Sequence, residues 1–195
     1  MTVKELAKAS RSFRGYDHSY KFTKEQLLEL VDCVRYAPSS VNRQPLKFYL
    51  SWEEEEVARI QSTTGWAKGL PDTKLPHPGK EPTAFIVICL DTRIDDNQPR
   101  YMRDIGIDAQ MILLAAAEQG LGGCMIGSFQ AGKLREYLKL SEHLTPLLVV
   151  ALGKPDEEIR LVEIENGEDV GYYRDENDVH YVPKRKLSDI VLTRQ

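Results

Sequence analysis

Three clusters of residues in this sequence have side chains or backbone suited to binding a ligand. The first is Arg11-Ser12-Phe13-Arg14, which offers two guanidinium groups and a hydroxyl within four positions. Guanidinium groups bind phosphate oxygens through paired N–H donors, so the cluster predicts a phosphate site. The alternative interpretation is a solvated basic turn, because exposed charges contribute little on their own.

The second cluster spans residues 37–45 and packs hydroxyls and carboxamides between two prolines: Pro38, Ser39, Ser40, Asn42, Gln44 and Pro45. Hydroxyl and carboxamide groups can both donate and accept hydrogen bonds. They suit a flat ligand whose edge alternates donors and acceptors, such as the pyrimidine ring of a flavin. A polar loop without a ligand is the alternative.

The third cluster, residues 120–128, is rich in glycine, which lets the backbone approach a flat ligand and exposes its amides. The glycines do not form a dinucleotide fingerprint. The spacing of Gly120, Gly122 and Gly127 is wrong, and the segment follows a helix and precedes a strand, the reverse of the Rossmann order.

Other titratable residues carry no clear chemistry. The four histidines lack paired helical spacing, so we expect no metal site: His18, His77, His143 and His180. Tyr16, Tyr36 and His143 could act as general acids, but ordinary burial tendencies favour packing or surface roles. The three cysteines, Cys33, Cys89 and Cys124, are far apart and set in apolar surroundings, which indicates buried thiols rather than disulfides.

Charge and hydropathy narrow the function class. The 195 residues include 26 Lys plus Arg and 30 Asp plus Glu, for a net charge of -4. Nucleic-acid-binding proteins are usually basic, so a small-molecule partner is favoured. No apolar run reaches the roughly 18 residues that a membrane helix needs, and residues 1–10 lack the apolar stretch of a signal peptide. We therefore expect a cytoplasmic protein.

The pattern of elements predicts one α+β domain over residues 1–195, with a mixed sheet of about four strands packed by helices. Capping boxes at Thr23/Gln26 and Ser51/Glu54 predict two helix starts. Strands are expected at residues 46–50, 84–90, 124–126 and 147–152, and further helices at residues 99–119 and 131–138. The helix at 99–119 is apolar nearly all round, so a partner chain could supply part of its cover.

Two segments are expected to lie outside the core. Residues 62–82 are rich in Gly and Pro and are predicted to form a loop that acts as a substrate lid, with Trp66 and Lys68 as its candidate functional residues. Trp66 could equally be tucked against a partner subunit. Residues 162–195 are interpreted as a C-terminal arm, with turns at Asn166-Gly167 and residues 175–178 and strands at 170–173 and 179–182.

Taken in order, these clusters resemble the nitroreductase family of flavoproteins. The first is similar to its Arg-Ser-x-Arg motif and the second to its Ser-Ser-x-Asn-x-Gln-Pro motif. Residues 104–127 resemble the family's long helix, glycine turn and strand, and residues 180–185 resemble its tail. The resemblance covers almost the whole chain apart from the 62–82 loop.

The resemblance implies a mainly antiparallel sheet and a homodimer with two FMN molecules at the interface, reached by the C-terminal arm. It also implies a ping-pong reaction in which electrons pass from NADH or NADPH through flavin N5 to a nitroaromatic, quinone or enone acceptor. Two alternatives stay open: a flavoenzyme with different chemistry, such as a dehydrogenase or reductive dehalogenase, and a non-catalytic flavin-binding redox sensor.

Site residues follow from the resemblance position by position. The phosphate would be held by Arg11, Ser12, Arg14, Lys184 and Arg185. On the other subunit, the residues that line the flavin would be Pro38, Ser39, Ser40, Asn42 and Gln44. The backbone of Met125, Ile126 and Gly127 would face the flavin ring. Lys68 or an arginine of the first cluster could stabilise negative charge on the reduced ring. No catalytic side chain is assigned, because the cofactor performs the chemistry.

The sequence departs from the family's usual residues at several positions. Family members often have Trp at the positions of Leu46 and Met125, Asn at Met111 and Thr at Gly123. We expect these departures to change the shape of the substrate pocket.

Overall fold

The computed structural model describes residues 1–70 and 72–193. Its α-helices are α1 (Val3–Ala9), α2 (Lys24–Asp32), α3 (Glu54–Gln61), α4 (Gln98–Glu118), α5 (Ala131–Tyr137) and α6 (Leu187–Ile190). Its strands are β1 (Leu46–Ser51), β2 (Ala84–Asp91), β3 (Gly122–Ile126), β4 (Leu144–Gly153), β5 (Ile159–Ile164), β6 (Tyr173–Arg174) and β7 (His180–Arg185).

A four-stranded antiparallel sheet forms the centre of the protein, in the order β1-β2-β4-β3. All eight residues of β2 are buried, because this Ile-rich and Val-rich strand has helices on both faces. One face packs against α2 and α4, and the other packs against α3 and α5. The predicted α+β class with a sheet of four strands is confirmed.

Most of the helices and strands that the sequence predicts are present at the expected residues. Thr23 and Gln26 form the predicted capping box before α2. The second predicted box is wrong: Ser51 is the last residue of β1, and α3 begins after Glu53 without a side-chain cap. The carboxylates in the first turn of α3 interact favourably with the positive end of its dipole, which supports this start without the box. The sequence did not predict helix α1, because charged and apolar residues alternate along it. The structure shows that a capping box at Thr2 begins this helix.

Helix α4 is the longest element and is only partly covered by its own chain. Asp104 and Asp108 face inward with Ile105 and Ala109, whereas Ile107 on the opposite side is exposed. The expectation of a helix buried on every side is therefore not met within one chain. None of the helices in the described ranges is long and apolar enough to span a membrane.

The C-terminal segment contains a second sheet of three strands in the order β5-β7-β6. Strand β5 pairs parallel with β7, and β6 pairs antiparallel with it. The sequence did not predict β5, and the earlier of the two tail strands lies at Tyr173–Arg174 rather than at residues 170–173. Val179 and His180 are buried, so this part of the tail packs onto the domain.

The three cysteines are free thiols. Cys89 and Cys124 are buried as expected, and Cys33 is half-buried. Burial raises the pKa of Cys89 to about 12, which keeps this thiol protonated and unreactive at neutral pH.

Candidate functional site

The first predicted cluster lies along the outer edge of β3. Ser12 forms a parallel bridge with Gly123, and the backbone N–H of Phe13 donates to the Gly123 carbonyl at 3.1 Å. A Cβ atom at position 123 would meet the backbone oxygen of Ala151 and lie 2.7 Å from a methyl carbon of Leu113. The close approach leaves no room for a side chain at position 123.

A cavity of about 190 Å³ lies beside this segment. Its walls come from the N-terminal segment and from the tail: Arg11, Ser12, Arg14, Tyr172, His180, Val182 and Lys184. We call this set the arginine corner. The corner brings together four of the five predicted phosphate ligands, whereas Arg185 is exposed on β7 and does not line the cavity.

The two arginines of the corner are only partly satisfied. The Arg14 guanidinium lies 5.0 Å above the centre of the Tyr172 ring and donates to the Ser12 carbonyl at 3.1 Å. Arg11 donates to the Ala7 carbonyl, yet its Nε is buried and has no hydrogen-bond partner among the described residues. Burial lowers the pKa of Arg11, since its charge is drawn out of water. An anion bound in the cavity would give the Arg11 Nε a hydrogen-bond partner and would offset the cost of burying the Arg11 charge.

A buried ion pair supports the corner from behind. The Glu157 carboxylate accepts the backbone N–H of Arg14 and pairs with the Arg174 guanidinium. Both side chains are at most 6% exposed. Removing one partner of such a pair leaves an uncompensated buried charge, so we infer that Glu157 fixes the path of the chain at Arg14.

His180 lies in the same corner and is 1% exposed. Burial lowers the pKa of His180 to about 4, with the positive charges of Arg14 and Arg174 adding to the effect. The ring is therefore neutral at pH 7. Its Nδ1 is buried and lacks a partner in the described part of the chain, which leaves it able to donate to an anion in one tautomer.

The predicted backbone segment 125–127 continues along the outer edge of β3. Backbone groups of a strand point alternately to its two edges, and the Gly123 carbonyl points outward to Phe13. The backbone of Met125 therefore also points outward. A Cβ atom added to Gly127 would meet nothing within 4 Å, so open space lies beside this residue.

The second predicted cluster forms a strained loop before β1, which we call the serine loop (residues 38–44). Three of its residues are not glycine yet have left-handed backbone angles: Val41 (φ 48°), Asn42 (φ 53°) and Gln44 (φ 51°). Such conformations are unfavourable for side-chain-bearing residues, most of all for a β-branched valine. Strain of this kind concentrates at functional sites.

Asp104 of α4 holds the serine loop in place. Its Oδ2 accepts from the Ser39 hydroxyl at 2.8 Å and from the Ser40 backbone N–H at 2.9 Å. The Ser39 oxygen in turn accepts from the Gln44 backbone N–H at 3.1 Å. The Ser39 hydroxyl proton is thus already donated within the chain, which leaves Asn42, Arg43 and Gln44 as the exposed polar residues of the loop.

Asp108 lies one turn after Asp104 and is 7% exposed. Burial raises the pKa of Asp108 to about 7, and the nearby charge of Asp104 adds to the shift. Both carboxyl groups line a cavity of about 250 Å³ beneath the serine loop, together with Arg35 and Lys47. Asp108 is therefore partly protonated near neutral pH.

The 62–82 loop is connected to both the β3 side and the tail. The Gly65 N–H donates to the Ser128 carbonyl at 2.7 Å, and the Gly69 N–H donates to the Tyr172 hydroxyl at 3.2 Å. Trp66 packs half-buried against the core face of α3 and α5, with its N–H bonded to Thr64 Oγ1 at 2.8 Å. Lys68 is exposed.

The two halves of the predicted site lie at opposite edges of the central sheet. The arginine corner adjoins β3, and the serine loop precedes β1. Because β2 and β4 lie between these strands, the halves are separated by three strand spacings, about 14 Å. One chain does not bring them together.

Several residues of the site could not be anticipated from motifs. Tyr172, Glu157 and Arg174 reach the corner only through tertiary packing, and His180 belongs to the predicted tail segment but was given no role there. Asp104 carried a usable signal, because an acidic residue on the inward stripe of an apolar helix requires a buried partner.

Comparison with known proteins identifies the family and the fold. A model of the nitroreductase family matches residues 7–154. The chain belongs to the nitroreductase family. One relative of this nitroreductase-family chain, from Methanothermobacter thermautotrophicus, is named as a candidate NADH dehydrogenase/NAD(P)H nitroreductase. The two are 27% identical over 161 residues, which cover 80% of this chain and 79% of the relative.

Solved structures also match. A nitroreductase family protein from Streptococcus pneumoniae superposes with a TM-score of 0.70 and 16% identity over 99% of this chain and 100% of its own, which shows that the fold extends through the second sheet. The NADPH:FMN oxidoreductase of Vibrio harveyi, solved in complex with NAD+, has a TM-score of 0.61 and 26% identity over 79% of this chain and 69% of its own.

Proposed function

We propose that this protein is an FMN-dependent oxidoreductase that passes electrons from NADH or NADPH to a small acceptor by a ping-pong mechanism. A nitroaromatic, a quinone or an enone is the expected acceptor class. The observation that carries the proposal is the arginine corner, whose cationic cavity leads directly onto the outward-facing backbone of β3.

The corner fits the phosphate end of FMN. Two arginines, a serine and a lysine line it, and both the Arg11 Nε and the His180 Nδ1 lack partners within the described ranges. Its volume of about 190 Å³ is below the roughly 300–1,000 Å³ of whole cofactor sites, so the flavin ring must lie outside it. The edge of β3 from Gly123 to Gly127 runs about 13 Å away from the corner and supplies that path.

The roles of the chain's own residues follow from this placement. Arg11, Ser12, Arg14 and Lys184 bind the phosphate, and Arg185 adds positive charge nearby. The outward backbone of Met125 and the open space at Gly127 receive the ring, with an amide N–H facing flavin N5. Bound FMN supplies the hydride-transfer chemistry. The 62–82 loop, with Trp66 and Lys68, covers the acceptor position.

The separation of the two halves supports a homodimer. The strained serine loop has the features of a binding loop, yet it lies across the sheet from the arginine corner of its own chain. A second copy places a serine loop against each corner. The tail exposes apolar side chains that a partner would cover, among them Leu187 (72% exposed), Ile190 (62%) and Leu192 (99%). We propose that this C-terminal arm reaches the partner.

A cytoplasmic location is part of the same proposal. Its support is the presence of three unpaired thiols, Cys33, Cys89 and Cys124, as is usual in a reducing compartment.

The redox proposal is tested by colour and by rapid kinetics. Purified protein should be yellow, and stopped-flow mixing with NADH or NADPH should bleach the flavin absorbance within the turnover time. A colourless protein that fails to take up added FMN contradicts the cofactor. Slow bleaching by both nucleotides contradicts the reductase and favours a sensor, whereas fast bleaching without nitro or quinone turnover favours a flavoenzyme with different chemistry.

The divided site is tested with a mixed dimer. One chain carries Arg14→Ala and the other carries Ser40→Tyr, and differently tagged copies are purified as a heterodimer. If each FMN contacts both chains, the heterodimer has one intact site and should bind one FMN with wild-type affinity. Loss of both tight sites would show that the two motifs act within one chain.

A further inference from the structure

A cavity of about 630 Å³ opens at the end of the sheet where β1 stops and β2 begins. It shares no lining residue with the arginine corner or with the cavity under the serine loop. Its size lies within the roughly 300–1,000 Å³ typical of small-molecule sites. The nitroreductase chemistry proposed above makes no use of it. We call it the aromatic cavity.

One part of the wall of the aromatic cavity is apolar and includes two aromatic rings. Phe22 (4% exposed), Val57 (7%) and the buried Pro82 form its floor, and the half-buried Trp52 stands at one side. Aromatic rings with one accessible face favour flat aromatic ligands by stacking and edge contacts. The cavity is therefore shaped for a ligand with an aromatic ring.

The charged groups around the cavity are mainly acidic. Glu53, Glu54 and Glu81 line it, opposed by Lys21 and by His18. None of the three carboxylates takes part in an ion pair within residues 1–70 and 72–193. Carboxylates at the mouth of an apolar cavity attract a cation and disfavour an anion. The charge pattern therefore selects a positively charged ligand.

Two buried polar atoms at the cavity lack hydrogen-bond partners. Thr83 lines it and is 4% exposed, and its hydroxyl has no partner in the described part of the chain. The carboxamide oxygen of Gln61, another lining residue, is buried and equally without a partner. A carbonyl oxygen can only accept, so the group it lacks is a donor. Leaving such groups unpaired costs about 1–3 kcal/mol each.

We propose that the aromatic cavity binds a small aromatic amine in its protonated form. The ring packs against Trp52 and Phe22, and the ammonium group faces the carboxylates of Glu54 and Glu81. Its N–H donors complement these carboxylates, and a side-chain rotation of Gln61 or Thr83 would bring a buried, unpaired oxygen within reach of the ammonium group. The inference is independent of the redox site, which lies in different cavities of the chain.

Isothermal titration calorimetry of the FMN-loaded protein with phenethylammonium tests this proposal. We expect saturable binding with one site per chain and an unchanged visible spectrum of the flavin. Two companion ligands isolate the charge: 2-phenylethanol should bind at least about tenfold more weakly, and 3-phenylpropionate should not bind. Equal binding of the amine and the acid would overturn the proposal, as would no saturation by about 1 mM amine.

Variants locate the site. Ala58→Trp places a bulky ring in the cavity and should abolish binding, whereas the Glu54→Gln/Glu81→Gln double variant should weaken it about tenfold. Glu55→Gln is the matched control, because Glu55 is on the same helix, pairs with Arg59 and does not line the cavity. Unchanged binding to Ala58→Trp would sink the proposal. The titration can also be carried out on protein without FMN. A failure of the amine-binding proposal is therefore distinguishable from a failure of the cofactor assignment.

Discussion

The arginine corner and the serine loop are built by opposite strategies. The corner is assembled from segments far apart in sequence, and a buried ion pair between Glu157 and Arg174 supports it. The serine loop is a local turn with strained backbone, held by one carboxylate of α4. The corner lies between parts of one chain, whereas most polar groups of the loop face outward.

The difference shows how two regions of different construction can bind different parts of one ligand. A phosphate needs fixed positive charge, and fixed charge requires a rigid, partly buried frame. A ring edge needs donors and acceptors at an exposed position that a second chain can approach. Mutations should therefore affect the regions differently. Variants of the buried ion pair behind the corner should change stability, variants of the arginines that line its cavity should change cofactor retention, and loop variants should change retention by a smaller factor.

The largest expected effect is a loss of stability when the Glu157–Arg174 ion pair behind the arginine corner is broken. Glu157→Gln removes the buried one of the two carboxylates that pair with Arg174, the other being the half-exposed Asp178, and should lower the free energy of unfolding by roughly 3 kcal/mol. Urea denaturation of the protein without FMN measures this change. Glu158→Gln, next in sequence but exposed, is the control and should leave the unfolding midpoint unchanged. Equal effects of the two variants would show that the pair does not support the corner.

The next effect separates binding from folding. Arg14→Ala removes a guanidinium that faces the cavity and should weaken FMN binding about a hundredfold, or ~2.7 kcal/mol. Fluorescence titration of FMN into protein stripped of the cofactor measures it, and thermal denaturation should show a much smaller loss. Arg59→Ala on the exposed face of α3 serves as control. Undiminished retention by the Arg14 variant would remove the phosphate assignment.

A smaller effect is expected at the serine loop. Asp104→Asn weakens the charged hydrogen bonds to Ser39 and Ser40, each worth about 1.5–3 kcal/mol, and lets the strained loop relax. Part of this energy should appear as about tenfold weaker FMN binding in the same titration. Ser39→Ala should change affinity in the same direction. If both variants bind FMN normally, the loop does not contact the cofactor.

The smallest effect concerns pH. The pKa of Asp108 is raised to about 7 in the folded chain, so the unfolded chain loses its proton first as pH rises. The free energy of unfolding should therefore fall between about pH 4 and pH 7. Asp108→Asn removes this dependence and should stabilise the protein by about 1 kcal/mol at pH 8 and hardly at all at pH 4. Urea denaturation across this pH range decides it, and an unchanged profile for the variant would contradict the assignment.

Periodicity and capping were sufficient to predict the central sheet and four of the helices, because these elements depend on local residue patterns. The strands at Leu46–Ser51 and Ala84–Asp91 are examples. The false cap at Ser51 arose because a capping motif has the same letters whether its first residue ends a strand or begins a helix. The cue for β5 is weak because a parallel edge pairing in a half-exposed tail leaves alternating charges.

The candidate site was predictable to a different extent in its two regions. Arg11, Ser12, Arg14 and Lys184 meet in one cavity as their motifs suggested. The contribution of Tyr172 was not visible, because nothing local marks a residue that contacts another more than 150 positions away. His180 lies in the predicted tail segment, but its burial in the corner depends on tertiary packing. Asp104 was visible in principle, since a buried carboxylate on an amphipathic stripe implies a partner.

The assembly of the arginine corner also sets the order in which this protein can become active during synthesis. Its residues span positions 11–184, so the N-terminal arginines leave the ribosome long before the tail that completes their cavity. Contacts of such sequence separation form late, after the intervening segments are ordered. A nascent chain should therefore be unable to bind a cofactor phosphate tightly until the second sheet has been synthesised and folded. Cofactor retention then indicates that the N-terminal segment and the C-terminal tail are in contact.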